Sequence, residues 1–246
     1  MIGAMPNVSV LVPMSGNCPH RALAWRYVQA WYATRHPDFE VVCGVLPDSA
    51  PWCKAKAVAQ AAQDASGEVF VVADADCFAP ALDGAVEALW SGYEWAMPHY
   101  TVNRLSKAAT AQVYVGKDPA GFPRTRSWYA QLPYVGIPGG GITVMRREVY
   151  ESAPMDPGFI GWGQEDEAWA MALRTLHGRG WRPSRGSPLW HLWHPPQQRI
   201  SRSTGSEKSR RMLATYKTAR TRDEMNALMS GPRKFYEKTV SAKRAV

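Results

Sequence analysis

Nothing in these 246 residues is apolar for long enough to cross a bilayer. No window approaches the roughly 20 uninterrupted apolar residues that a spanning helix needs. The stretch from Met1 to Val8 lacks a basic segment followed by a long apolar one, so no leader is expected and the chain should stay in the cytoplasm. Cysteine is sparse: Cys18, Cys43, Cys53 and Cys77 show no C-x-x-C spacing. Nothing points to an oxidising compartment, and they read as reduced thiols without a structural bridge. Repeats and low-complexity tracts are absent as well, which excludes solenoids and arrays.

What is present suits one well-filled domain: 46% of the residues are apolar, the share a soluble globular protein carries. The net charge of +8 is uneven. From Gln197 onward thirteen basic residues face only Glu207, Asp223, Glu224 and Glu237, so the C-terminal stretch carries about +9 and the body before it is close to neutral. The sequence therefore divides into a body over 1–196 and a basic, largely helical extension over 197–246. That extension can meet a polyanion, such as nucleic acid or an acidic membrane surface, or it can be a solvated helical face.

Val8 to Met14 is a β-branched run ended by proline, expected as a buried first strand. Arg21 to Thr34 has apolar residues at helical spacing, Phe39 to Leu46 reads as a second strand, and Lys54 to Ala65 is an alanine-rich helix closed by Ser66-Gly67. Val69 to Ala73 is a third strand that runs directly into Asp74-Ala-Asp76. This alternation predicts an α/β fold with a mostly parallel central sheet flanked by helices. Tyr93 to Tyr134 reads as an irregular loop or hairpin region. Gly139-Gly-Gly141 precedes an apolar strand, where the backbone should pack too closely for side chains. Helices are expected over Arg146 to Ser152 and from Ser206 to Leu228.

Three constellations carry chemistry. In sheets of this kind ligands bind beyond the carboxyl ends of the strands, and Asp74 and Asp76 stand where the third strand ends. Two carboxylates one residue apart can point the same way, toward a hard cation such as Mn2+ or Mg2+ that would neutralise a diphosphate. In Gly161-Trp-Gly-Gln-Glu-Asp-Glu167 the acids Glu165, Asp166 and Glu167 suit a helix N-terminus. A capped helix start does not explain Trp162 between two glycines. That indole offers a flat face on which a sugar ring can stack, beside a carboxylate able to take a hydroxyl proton. In Leu189-Trp-His-Leu-Trp-His-Pro195, His191 or His194 would complete a metal set with the carboxylates.

Taken in order, the D-x-D, the glycine-rich strand, Gly-Trp-Gly-x-Glu-Asp and the later histidine resemble the glycosyltransferases of the GT-A fold. The resemblance covers roughly residues 8 to 195. It is closest to family 2 enzymes and to the C-terminal motif of the β-1,4-galactosyltransferases. Cys53-Lys-Ala-Lys56 and the Ala-Ser-Gly-Glu68 turn also look like the family's segment before the D-x-D strand. The resemblance implies a nucleotide-sugar donor, and a UDP-sugar above others. Asp76 would be the direct metal ligand, with Asp74 on the donor's ribose or on the metal through water. His191 would be the third protein ligand and His194 the alternative. Pro13, Met14 and Asp48 fall where the family holds the nucleobase, and Lys54 where a basic residue approaches the nucleotide. Asp166, beside Glu165, matches the catalytic base of inverting members. Gln164 and Glu167 depart from the galactosyltransferase pattern, which carries glycine and aspartate there. The acceptor therefore stays open among a saccharide, a protein, a small molecule and a hydroxylated DNA base.

Two other classes compete. Sugar nucleotidyltransferases also place acidic metal ligands at strand ends, but Val12-Pro-Met-Ser-Gly-Asn-Cys18 lacks their basic, glycine-rich phosphate loop. A basic nucleic-acid-binding protein on a degenerate fold of this type would explain the C-terminal charge, but not the intact acids and histidines.

Overall fold

A computed structural model of the chain describes residues 7–16, 18–131, 140–195 and 205–233. β1 (Val8–Ser15), α1 (Pro19–Arg35), β2 (Glu40–Leu46), α2 (Lys54–Asp64) and β3 (Val69–Ala73) follow the expected alternation. β1 pairs in parallel with both β2 and β3. β8 (Ile142–Arg146) then joins β3, and β5 (Trp95–Ala96) joins β8, both antiparallel, which gives a five-stranded sheet in the order β2-β1-β3-β8-β5. Both faces of β3 are covered: Val69, Val71 and Ala73 enter one core, and Phe70 and Val72 the other. That two-sided burial is why these strands read as continuous apolar runs.

Pro13 does not end β1, which continues to Ser15. The pairing with β3 covers only Val8 to Leu11, so Pro13 lies past the end of β3, opposite Gly44 of β2. A missing N–H is tolerable at that edge.

The middle region is more regular than its sequence suggests. β6 (Thr101–Leu105) and β7 (Trp128–Gln131), with α4 (Lys107–Tyr114) between them in the chain, form a second sheet with β4 (Cys77–Phe78) and β9 (Pro188–His191), in the order β4-β9-β6-β7. These strands are short and lean on partners remote in the chain, so local periodicity carries little signal. Of the three glycines, Gly139 lies outside the described residues. Gly141 has φ +78°, and a Cβ there would sit 2.4 Å from Leu189 Cδ1, so the expected close packing is met by β9.

The C-terminal segment is not one helix. α7 (Gly205–Thr218) and α8 (Arg222–Arg233) are separated at Ala219 to Thr221. Thr221 Oγ1 accepts from the Glu224 N–H at 3.2 Å, and the Glu224 carboxylate accepts from the Thr221 N–H at 3.0 Å. This reciprocal box starts a new helix. Leu213, Tyr216, Met225 and Met229 are buried in the same core as Trp169, Leu173 and Leu176 of α6 (Glu165–His177). Lys217 pairs with Glu167 at 2.9 Å, and Arg222 donates to the Leu176 carbonyl. Lys208, Arg210, Arg211 and Arg220 are exposed. The remaining basic residues of the extension, apart from Arg233 in the last turn of α8, lie outside the described residues. The Tyr216 hydroxyl donates to Asp156 Oδ2 at 2.9 Å. Tyr216→Phe should therefore cost about 1–3 kcal/mol of unfolding free energy, as loss of a bond to a charged group does; urea denaturation reads this, and an unchanged midpoint would show that the bond contributes nothing.

Candidate active site

A cavity of about 1050 Å³ opens beyond the carboxyl ends of β1 and β3, between the two sheets and the start of α6. Pro13, Met14, Lys54, Asp74, Asp76, Trp162, Glu165, Asp166, His191 and His194 all line it. Asp48 does not: it is exposed on the turn after β2.

Asp76 stands between β3 and β4, and the antiparallel pairing of β4 with β9 puts Cys77 opposite His191. Both histidines then turn toward Asp76. His191 Nε2 lies 3.7 Å from Oδ1, and His194 Nε2 lies 3.2 Å from Oδ2. The Nδ1 of His191 sits 2.8 Å from the Leu192 carbonyl and that of His194 2.8 Å from the Pro195 carbonyl. A carbonyl only accepts, so each Nδ1 carries a hydrogen, and in the neutral ring Nε2 is the nitrogen left to ligate. Burial holds His191 down to about 4, so it is neutral near pH 7. The Nε2 atoms of two imidazoles thus converge on one carboxylate. That arrangement fits a cation, and a two-histidine, one-carboxylate set suits Mn2+ better than Mg2+. Asp76, His191 and His194 bring their ligand atoms within 4.8 Å of one another, so either histidine, or both, is placed to ligate a cation with Asp76. Burial alone would raise Asp76, but His191, His194 and Arg21 outweigh it and hold the carboxyl below the usual carboxylate range.

The second half of the site is built by a strained turn. Gly161 (φ +90°), Gly163 (φ +97°) and Gln164 (φ +74°) all lie in the left-handed region. Glycine adopts it freely, whereas Gln164 does so at a cost of order 1–3 kcal/mol that surrounding packing must hold. The turn delivers Glu165 and Asp166 into the cavity at the first turn of α6. Trp162 stacks on Trp52 with centroids 5.0 Å apart and planes 16° apart, and the Gly161 N–H donates to the Trp52 carbonyl at 2.8 Å. The Arg21 guanidinium covers Trp162 at 4.3 Å and reaches to 3.5 Å from His194 Nε2.

Asp166 Oδ1 accepts from the Lys54 ammonium at 2.9 Å, and Asp74 Oδ1 accepts from the same ammonium at 2.7 Å. Glu165 is buried, and its Oε2 has no hydrogen-bond partner. Burial, reinforced by the Asp166 charge, pushes its carboxyl up to about 8, with Lys54 opposing. Glu165 is therefore protonated near neutral pH, whereas the Lys54 pairing keeps Asp166 beside a cation. This separates the adjacent acids, which sequence alone leaves side by side.

The Glu165 shift has a measurable consequence for stability. Its folded value, about 8, lies above its ordinary 4.5, so the folded chain holds an extra proton between them and stability falls as pH rises through that window. Below the window both states are protonated and above it both are ionised, so the slope vanishes. Glu165→Gln, denatured in EDTA across pH 4.5 to 9, should gain on the wild type by on the order of a few kcal/mol as pH rises to 8. A difference independent of pH would show that Glu165 keeps its ordinary value.

Arg21, Trp52, Arg104, Lys107, Arg126 and Trp193 also line the cavity, and the motifs did not single them out. Arg104 stands opposite His191 in the β6–β9 pairing, and Lys107 lies 5.2 Å from the Trp193 ring. No short-range spacing announces them, because they arrive from separate elements: Arg21 on α1, Trp52 just before α2, Arg104 on β6, Lys107 on α4, Arg126 just before β7 and Trp193 just after β9.

No protein-family model matches the chain, and no curated protein matches its sequence. Solved structures do match. The catalytic domain of Drosophila β1,4-galactosyltransferase 7, in complex with xylobiose, is similar with a TM-score of 0.51 at 16% identity, over 88% of this chain and 83% of that one. Mannosyl-3-phosphoglycerate synthase from Rubrobacter xylanophilus is similar with a TM-score of 0.50 at 13% identity, over 85% of this chain and 71% of that one. The fold is that of the GT-A glycosyltransferases. At these identities the likeness speaks for the fold alone.

Proposed function

We propose that this chain is a metal-dependent, inverting glycosyltransferase that moves a sugar from a nucleotide-sugar, a UDP-sugar in the first instance, to an acceptor hydroxyl. The observation that carries the reading is the joining, in one cavity, of a converging Asp76–His191–His194 set and an acidic pair on a strained turn beside an indole. The fold of the two glycosyltransferase structures it resembles supports it.

Asp76, His191 and His194 would hold Mn2+ or Mg2+, whose charge stabilises a diphosphate leaving group. Pro13, Met14 and Asp74 border the end of the cavity where the nucleoside would lie, and Trp162, its ring covered by Trp52 and by Arg21, leaves its edge rather than a free face to a sugar ring. Asp166 removes the acceptor's hydroxyl proton as that oxygen attacks the anomeric carbon. The bond from that carbon to the diphosphate breaks, and the nucleoside diphosphate leaves with the electron pair. Glu165, mostly protonated near neutral pH, is the less available acceptor of the two and adds little negative charge beside Asp166. A single displacement inverts the anomeric centre.

The test is a panel of UDP-, GDP- and TDP-sugars incubated with the protein and Mn2+ or EDTA, with released nucleoside diphosphate as the readout and product anomers assigned by NMR. Metal-dependent release from one donor is expected. No release from any donor would reject glycosyl transfer, and a product that retains configuration would reject the single displacement.

A further inference from the structure

Lys54 does not sit as a nucleotide ligand would. Its side chain is only 6% exposed, and two of its three N–H donors are committed, one to Asp74 and one to Asp166. Burial works against its charge, but Asp166, Asp74 and Glu165 outweigh that and hold the ammonium well above the usual lysine range. The groups it joins come from separate parts of the fold. Asp74 leaves β3 and is fixed through its N–H, which donates to the Gly141 carbonyl at 2.8 Å. Asp166 stands on the first turn of α6, beyond the strained glycine turn. Lys54 opens α2 and reaches both.

We propose that Lys54 is a positioning residue that locks the donor-side carboxylate Asp74 and the base Asp166 into one frame. This rests on the glycosyl-transfer reading above. Without the ammonium, Asp74 and Asp166 would be like charges in a closed space and would part. Asp166 Oδ1 is held by Lys54, so the acceptor proton goes to Oδ2, whose direction the ion pair sets. What the ion pair supplies is orientation: a misplacement of about 1 Å at a reacting group costs about 100-fold in rate. Lys54 therefore acts on the chemical step through Asp166 and not through donor affinity.

Lys54→Met keeps the length and removes the charge. Its kcat should fall by at least about 100-fold while the donor KM stays within about threefold, the pattern of an interaction realised only in the transition state. Titration of UDP with Mn2+ should give near wild-type affinity, and Lys54→Arg should restore part of kcat. A crystal structure of Lys54→Met should show the Asp166 carboxylate drawn away from Asp74. A raised KM with kcat retained, or an Asp166 that has not moved, would overturn the proposal. If Lys54→Met does not fold, Lys54→Arg decides: wild-type kcat in a variant whose structure has lost either ion pair overturns it, and a kcat that falls with the lost pair supports it. If the wild type turns over no nucleotide-sugar, the functional reading fails alone, because the position of Asp166 in the variant still decides the role of Lys54.

Discussion

Asp76→Ala should abolish saturable Mn2+ binding and, with it, all metal-dependent turnover. The reason lies in the converging ligand atoms: Asp76 supplies the carboxylate oxygens that face both His191 Nε2 and His194 Nε2. Removing them leaves two imidazoles with no carboxylate between them, which hold a divalent cation poorly. The fold should survive, because the Leu192 N–H bonds the backbone carbonyl of Asp76 and not its side chain. Calorimetric titration with Mn2+, alongside circular dichroism of the variant, makes the comparison. His191→Ala and His194→Ala should each weaken Mn2+ by more than the roughly 10–100-fold that loss of an outer-shell partner costs, with His191→Ala the more damaging. Full Mn2+ affinity in Asp76→Ala would remove the metal set from this site.

Asp166→Asn is the second large effect. The amide keeps the shape of the carboxylate but cannot take a proton, so kcat should fall by about 10²–10⁴-fold, the range in which a positioned base contributes. Mn2+ and UDP affinities should stay near wild type, because Asp166 belongs to neither set. Glu165→Gln, by contrast, should leave far more turnover, since that carboxyl is already protonated near neutral pH. Steady-state kinetics on all three proteins separates the adjacent acids. If Glu165→Gln is the dead variant and Asp166→Asn the active one, the base is Glu165.

The exposed cations of α7 bear on the acceptor. A hydroxylated DNA base as acceptor would require phosphate contacts from that surface and flipping of the base toward Asp166. Deleting the chain after Gln198 is a poor test, because it uncovers the core that Leu213, Tyr216, Met225 and Met229 fill. Charge-neutral substitutions at Lys208 and Arg220 leave the packing alone.

Much of the fold was legible because its signals are local. The β-branched run at Val69 to Ala73, the alanine-rich stretch from Lys54 and the apolar spacing after Arg21 each report a period set by a few neighbouring residues. The D-x-D was legible for the same reason, as a carboxylate pair at the end of a strand, and so was Trp162 between two glycines. By itself the sequence determined that acids, an indole and histidines suited to sugar transfer follow an α/β frame in order. Only the tertiary structure decided that both His191 and His194 face Asp76, that Lys54 ties Asp74 to Asp166, that Asp48 stays outside the cavity, and that α7 and α8 pack on α6. Those facts depend on strand register and on helix packing between segments far apart in the chain, and no local spacing encodes them. The split between Glu165 and Asp166 shows the physical reason most sharply: two adjacent acids of like chemistry part because one is buried with an oxygen left without a hydrogen bond and the other accepts from an ammonium.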